Sequence, residues 1–221
     1  MAYFEKDYFD FFKELAANNN RDWFQEHKKR YENSVKKPFE VFVADLISEV
    51  GKLDKKVAIQ PKDAIFRINR DIRFSKDKTP YKLNRSAIVS PIGKKDKANP
   101  GLYIEVSPEH VRVYGGVYMP DKTQLYNIRE TIAQNPKKLE KLSSDKKFKD
   151  IFGEIRGEKN KIIPKEFKEI GEKSDIIYNK QFYWFTQWDP KEALKDDFLK
   201  KTMEAYKANK ALMDYFAAAM N

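Results

Sequence analysis

Residues 102–118, LYIEVSPEHVRVYGGVY, decide the fold expected of this chain. Apolar and polar side chains alternate over Leu102–Ser107 and again over Val111–Tyr118, which is the pattern of half-buried strands. The residues that join them, Ser107–His110, include a proline and are typical of a turn. The stretch therefore predicts an antiparallel hairpin, and the Gly115–Gly116 pair predicts a bulge or a close backbone approach within its second strand.

Two further stretches upstream have strand character. Over Ile65–Phe74 the apolar side chains fall mostly on one parity. The other parity carries polar side chains, namely Arg67, Asn69, Asp71 and Arg73. Ser86–Ser90 is the next strand candidate, so we expect an antiparallel sheet within about residues 65–118.

Helical periodicity flanks this sheet on both sides. Residues 4–17 carry a stripe of aromatic side chains, Asn20 or Asp22 can cap the helix that follows, and Pro38 suits the first turn of a third helix. Helices resume at Asp121, whereas the aromatic stretch 176–188 fits either type of element. The fold class is therefore expected to be α+β, with the sheet packed against N-terminal and C-terminal helices. We expect a single domain over 1–221, helical over 1–53, mainly β over 57–118 and mainly helical over 121–221.

Composition excludes several classes of protein. The 221 residues include no cysteine and two histidines, His27 and His110. A disulfide framework, an iron–sulfur cluster and a cysteine nucleophile are excluded, and a multi-histidine metal centre is disfavoured. No apolar run approaches the roughly 20 residues that cross a membrane, and the N-terminal residues lack the basic-then-apolar order of a signal peptide. We therefore expect a cytoplasmic protein without a membrane partner.

The positive charge is concentrated in one segment. The chain carries 44 Lys and Arg against 34 Asp and Glu, a net charge of +10. Residues 51–100 hold 14 of the basic groups and 5 of the acidic ones, so they account for +9. Four of the nine arginines lie within 19 residues, namely Arg67, Arg70, Arg73 and Arg85. Because the planar guanidinium suits phosphate and carboxylate, this cluster predicts a site for an anion.

The arginine cluster leads to a specific hypothesis. We expect a pocket for a small ligand that bears phosphate or carboxylate, with Arg85 as a further binding residue. Its centre would comprise Arg67, Arg70, Asp71 and Arg73, and its rim Asp77, Lys78 and Tyr81. In an enzyme acting on a phosphorylated or nucleotide-like substrate, Asp71 or Asp77 would serve as base or metal ligand, and the arginines would stabilise developing charge.

Several alternatives stay open at this point. The basic segment 51–100 could be an exposed face for nucleic acid, or the Arg and Asp side chains could form a purely structural network. Glu105 could join Asp71 and Asp77 in an oxygen-ligand metal site, although a cross-strand pair with a basic residue is the more common arrangement. His27 has no nucleophile at a signature spacing, which disfavours a catalytic role. The cofactor, if any, and the oligomeric state stay open.

The run Arg67–Tyr81, RINRDIRFSKDKTPY, resembles the signature of the DUF2461 family. Asn19–Phe24 and the region around Ile163–Phe167 are also similar to that family, so the resemblance covers nearly the whole chain. The positions that match the central motif are Arg67, Arg70, Asp71, Arg73, Phe74, Asp77, Lys78 and Tyr81. The resemblance implies a mostly bacterial family of about this length, and it implies no established substrate, reaction or cofactor.

Overall fold

The computed structural model describes residues 1–96 and 98–220, so Lys97 of the basic segment and Asn221 lie outside the described residues. The helices are α1 (Lys6–Ala17), α2 (Arg21–Glu26), α3 (Lys28–Arg30), α4 (Lys37–Leu53), α5 (Pro61–Ala64), α6 (Lys122–Gln134), α7 (Pro136–Ser143), α8 (Lys146–Phe152), α9 (Lys168–Lys173) and α10 (Phe198–Ala219). The strands are β1 (Arg85–Val89), β2 (Leu102–Val106), β3 (Val111–Val117) and β4 (Phe182–Trp188). A π-helical segment, Tyr31–Lys36, joins α3 to α4, and short 3-10 helices cover Gly93–Lys95, Lys165–Phe167, Asp175–Tyr178 and Pro190–Leu194.

The four strands form one antiparallel sheet in the order β1-β2-β3-β4. The predicted hairpin is confirmed as β2 and β3, and the fold class α+β is confirmed with it. The last strand, β4, comes from the aromatic stretch whose type the sequence left open. The alternation along β2 and β3 buries every second side chain, which is why the local pattern sufficed to predict both strands.

The predicted strand Ile65–Phe74 is wrong. Only two isolated bridges mark this region, Ile65 with Ala87 and Asn69 with Tyr81, and the sheet begins later, at β1. The Phe74 side chain is 96 % exposed rather than in a core. An alternating stretch becomes a strand only where a neighbouring strand pairs with it along its length. Here the chain turns back, and residues 68–70 pair with residues 80–82 instead.

One compact unit of the chain comprises Met1–Lys94, Tyr103–Val113 and Gln187–Met203. Its core is aromatic, because Tyr8 of α1 and Phe42 of α4 are fully buried. The Tyr8 hydroxyl donates a hydrogen bond to the Val106 carbonyl of β2 at 3.3 Å, and the Phe42 ring stacks on Phe198 with centroids 4.9 Å apart. The N-terminal helices therefore pack directly against the sheet within this unit.

A second compact unit comprises Tyr114–Thr186 and the described residues of 95–102 and 204–221. The buried rings of Phe182 and Trp184 from β4 lie against Phe216 of α10, with centroids 5.1 and 6.1 Å apart. Phe148 of α8 meets Trp184 edge-on at 5.4 Å. The C-terminal helix therefore covers the sheet within this unit, and the single domain expected from the sequence stays a prediction.

The helix caps follow from local sequence. Asn20 begins α2 by accepting a hydrogen bond from the Trp23 amide at 2.9 Å, as predicted. Asp121 and Gln124 form a reciprocal capping box at the start of α6. Within the described residues, no helix has the length and apolar character that a membrane span requires.

The glycine pair in β3 produces the predicted close approach. Gly116 has a positive φ of 109°, and a Cβ there would collide with the carbonyl oxygen of Phe182 on β4. A Cβ on Gly115 would collide with the indole of Trp184. The absence of both side chains therefore allows β3 and β4 to pair at this point.

We expect Gly116→Ala to lower the free energy of unfolding by at least about 3 kcal/mol, because both a collision and a strained φ must be relieved. Gly153→Ala is the matched control, since Gly153 also has a positive φ, 78°, but has open space around its Cβ position. It should cost only about 1–2 kcal/mol. Urea unfolding of the two variants measures the difference, and equal losses would contradict the collision.

Candidate functional site

The motif residues form a closed loop, residues 69–81, which we call the arginine loop. Two backbone hydrogen bonds close its base, from the Arg70 amide to the Pro80 carbonyl and from the Lys82 amide to the Ile68 carbonyl, both at 2.9 Å. The side chains of Arg70 and Arg73 both belong to this loop. Their partners determine whether either guanidinium is available to a ligand.

Arg70 is held inside the arginine loop. Its Nη1 donates to the Asp77 carboxylate, to the Thr79 hydroxyl and, at 3.2 Å, to the Thr79 carbonyl. The Thr79 amide and hydroxyl, followed by Arg70, lower the pKa of Asp77 below its usual value. These contacts lock the two sides of the loop together, so Arg70 and Asp77 satisfy each other.

Arg73 is also paired within the arginine loop. Its Nε and Nη2 donate to the two carboxylate oxygens of Asp71 at 3.0 and 2.8 Å. These bonds, together with one from the Arg73 amide, lower the pKa of Asp71 to about 2. A general base works best with a pKa near the working pH, so the lowered values at Asp71 and Asp77 disfavour that role. The catalytic assignment of the two aspartates stays a prediction.

Tyr81 lies in the core rather than on the expected rim. Its side chain is 5 % exposed and stacks on Phe24 with centroids 4.0 Å apart. The Asn19 side chain pairs with the Tyr81 backbone, donating to its carbonyl at 2.9 Å and accepting from its amide at 3.1 Å. The two stretches that resemble the family, Asn19–Phe24 and Arg67–Tyr81, are therefore in direct contact with each other. Lys78, the other expected rim residue, donates from Nζ to the Ile72 carbonyl at 3.0 Å.

Arg67 and Arg85 line a groove of about 500 Å³ beside the arginine loop. The groove takes one wall from α4, another from α5, and its remaining surface from the segment before the loop, β1 and a 3-10 helix. Its lining residues are Glu40, Gln60, Pro61, Lys62, Ile65, Phe66, Arg67, Arg85 and Lys94. Four of these are cations and one is an acid, so the lining is strongly basic.

Arg85 is the unusual residue of the groove. Its side chain is 5 % exposed, its Nη1 donates to the Phe66 carbonyl at 2.9 Å, and its Nε has no partner. It forms no ion pair with any acidic residue of the described part of the chain. The Phe39 ring, 5.6 Å away, offers its face to the guanidinium. A buried charge that lacks a counter-ion carries a large desolvation cost.

The phenols near Arg85 do not neutralise it. Burial raises the pKa of both Tyr8 and Tyr31, against a lowering by the nearby positive charge of Arg85. Both hydroxyls are therefore uncharged at neutral pH. Arg85 accordingly has neutral neighbours on the protein side and the groove on the other.

The remaining cations differ in how they are held. Lys94 donates from Nζ to the carbonyls of Lys62 and Ile65 at 2.6 and 2.9 Å, which fixes the ammonium at the groove edge. Arg67 is exposed, and it has no hydrogen-bond or ion-pair partner among residues 1–96 and 98–220. The sequence singled out Arg67 and Arg85 but missed Glu40, Gln60, Lys62 and Lys94. No motif marks these four residues, and only the fold brings them together.

The other acidic and histidine candidates lie elsewhere. Glu105 contacts His110 Nε2 at 2.7 Å and Arg112 Nη1 at 3.8 Å, which is the cross-strand arrangement weighed against a metal site. In the part of the chain that the structure describes, no three His, Asp or Glu side chains cluster to hold a metal ion. His27 stacks on Trp23 with ring centroids 4.0 Å apart, and its Nδ1 lies 2.9 Å from the Trp23 carbonyl.

These features describe an α+β protein with a basic groove next to an internally paired loop. A family model described as "Conserved hypothetical protein (DUF2461)" matches residues 7–215 of the chain. The match covers nearly the whole sequence, so the chain belongs to the DUF2461 family, as the resemblance of its motifs implied. A search of curated proteins and a search of solved structures each found no match.

We expect Arg70→Met to open the arginine loop, because Asp77 and Thr79 lose their shared donor. Hydrogen exchange should show reduced protection of the Arg70 and Lys82 amides, which close the base of the loop. Arg73→Met is the matched control, since it removes an arginine from the same loop but leaves the lock between Arg70 and Asp77 in place. Unchanged protection in Arg70→Met would contradict the role of Arg70 as a lock.

The lock should also respond to acid. The folded pKa of Asp77 lies below its usual value, so its contribution to loop closure is complete above about pH 4 and is lost as the pH falls through the lowered folded value. Protection factors of the Arg70 amide should therefore stay constant from neutral pH to about pH 4 and decrease below it. A decrease that begins near neutral pH would point to another titrating group.

Proposed function

We propose that the protein binds a small anionic ligand, bearing phosphate or carboxylate, in the groove between Arg67 and Arg85. The observation that carries this proposal is the buried Arg85 guanidinium, which faces the groove without a protein counter-ion. An anion seated in the groove would pair with the positive charge of the Arg85 guanidinium and supply the counter-ion that the described part of the protein lacks there. The exposed Arg67 would approach the same anion from the groove edge.

The size and charge of the groove support a small ligand. A volume of about 500 Å³ lies within the range of small-molecule sites, roughly 300–1,000 Å³. Lys62 and Lys94 add positive potential at the edge, which would attract anions during encounter. Phe66, Pro61 and Ile65 supply apolar surface to the lining.

The alternatives from the sequence gain less support. A nucleic-acid face needs exposed cations along a strip, whereas the Arg85 side chain is buried at a concave surface. A purely structural role accounts for Arg70 and Arg73, which pair with carboxylates of the arginine loop, but it leaves the charge of Arg85 without a counter-ion among the described residues. We keep the cytoplasm as the proposed location, on the grounds of composition given above.

Isothermal titration calorimetry with inorganic phosphate and with a small dicarboxylate tests the proposal. We expect at least one of them to bind, and Arg85→Met to weaken its binding by at least about tenfold, the worth of a charge-assisted hydrogen bond. Arg85→Lys should recover part of the affinity, because lysine keeps the positive charge but lacks the planar guanidinium that donates two parallel hydrogen bonds.

Arg73→Met is the matched control for this experiment. It removes one arginine from the same basic segment, but its guanidinium is paired with Asp71 outside the groove. Equal weakening by Arg73→Met and Arg85→Met would show that net charge alone is responsible. If folded wild-type protein binds neither inorganic phosphate nor the dicarboxylate at millimolar concentrations, the proposal is overturned.

A further inference from the structure

Glu40 stands out in the groove because it is the single acidic side chain among the described lining residues. It lies in the first turn of α4 and is half-buried. A carboxylate reduces the affinity of any site for anions, so its position beside Arg67 and Arg85 calls for an explanation. The contacts of Glu40 show whether its carboxylate is paired within the protein or can accept a hydrogen bond from a ligand.

Glu40 forms no ion pair with the described cations that line the groove. Within the described residues it forms no hydrogen bond or ion pair, although Arg67, Arg85 and two lysines line the same groove. Lys36, one helical turn before it, forms its ion pair with Glu32 at 2.9 Å, and the charge of Glu40 adds to the raised pKa of Lys36 without a direct bond. Glu40 therefore lines the groove with carboxylate oxygens that accept no hydrogen bond from the described residues.

We propose that Glu40 selects ligands that carry a hydroxyl group beside their anionic group, such as the phosphate ester of a polyol or sugar. This inference rests on the proposed function of the groove. The anion would bind Arg85 and Arg67, and the ligand hydroxyl would donate to the Glu40 carboxylate. The volume of about 500 Å³ leaves room for more than a phosphate ion alone.

The charge of the groove indicates which kind of donor Glu40 accepts. Four cations against one acid give the lining a net charge of +3, so an ammonium on the ligand would be repelled. A neutral hydroxyl donates without that cost. A ligand with the anion but no donor would leave the carboxylate unpaired beside it, and this repulsion weakens the binding of plain anions relative to hydroxylated ones.

The test compares two ligands of similar size, glycerol 3-phosphate and n-propyl phosphate, which differ in their hydroxyl groups. By calorimetry we expect the wild-type protein to bind glycerol 3-phosphate at least about tenfold more tightly. Glu40→Leu should remove this preference through opposite changes, weaker binding of glycerol 3-phosphate and equal or tighter binding of n-propyl phosphate. A merely structural role for Glu40 would weaken both ligands together.

Glu49→Leu is the matched control, because Glu49 lies on the same helix α4 but outside the groove lining, where it pairs with Lys52. It should leave the preference unchanged. If both phosphates bind with equal affinity to the wild-type protein, or if Glu40→Leu keeps the preference, the inference about Glu40 is overturned while the proposed anion site stands. If neither these esters nor inorganic phosphate binds, and the dicarboxylate also fails, the proposed function itself is overturned.

Discussion

The buried guanidinium of Arg85 is the constraint on which the arrangement of the first compact unit depends. It joins three segments that are distant in sequence, namely β1, the Phe66 region whose carbonyl accepts its hydrogen bond, and α4, whose Phe39 ring lies against it. Tyr8 and Tyr31 surround it as neutral phenols. A fold that keeps a cation there either bears the desolvation cost or meets an anion, and the groove allows the anion to come from outside.

The sequence predicted those features that depend on near neighbours in the chain. The hairpin of β2 and β3 follows from alternation around a turn, and the cap at Asn20 requires only residues up to Trp23. The stretch Ile65–Phe74 shows the limit of this reasoning. Its alternation, interrupted at Arg70, predicts a strand, but hydrogen bonds from the Arg70 side chain hold the chain in a loop instead.

The candidate site was predictable only in part, for the same reason. Arginine clustering identified Arg67 and Arg85, because the planar guanidinium of arginine suits phosphate and carboxylate groups. It could not separate them from Arg70 and Arg73, which pair with Asp77 and Asp71 of the arginine loop. Nor could it identify Glu40 or Lys94, since these enter the groove from α4 and a 3-10 helix that carry no motif. Of the four arginines in this basic segment, two are paired within the arginine loop and two line the groove.

The π-helical segment Tyr31–Lys36 makes the groove sensitive to insertions and deletions in the chain before α4. Its wide turn, in which the Lys37 amide bonds to the Glu32 carbonyl five residues back, contains one residue more than an α-helical turn. Each residue rotates a helix by about 100°, so this extra residue sets the direction in which α4 presents Glu40. Loss of a single residue from this turn would change the phase between α3 and α4 by about that angle, without any substitution in α4. The selectivity of such a site could therefore change during evolution by helical phase, through an insertion or deletion remote from the ligand.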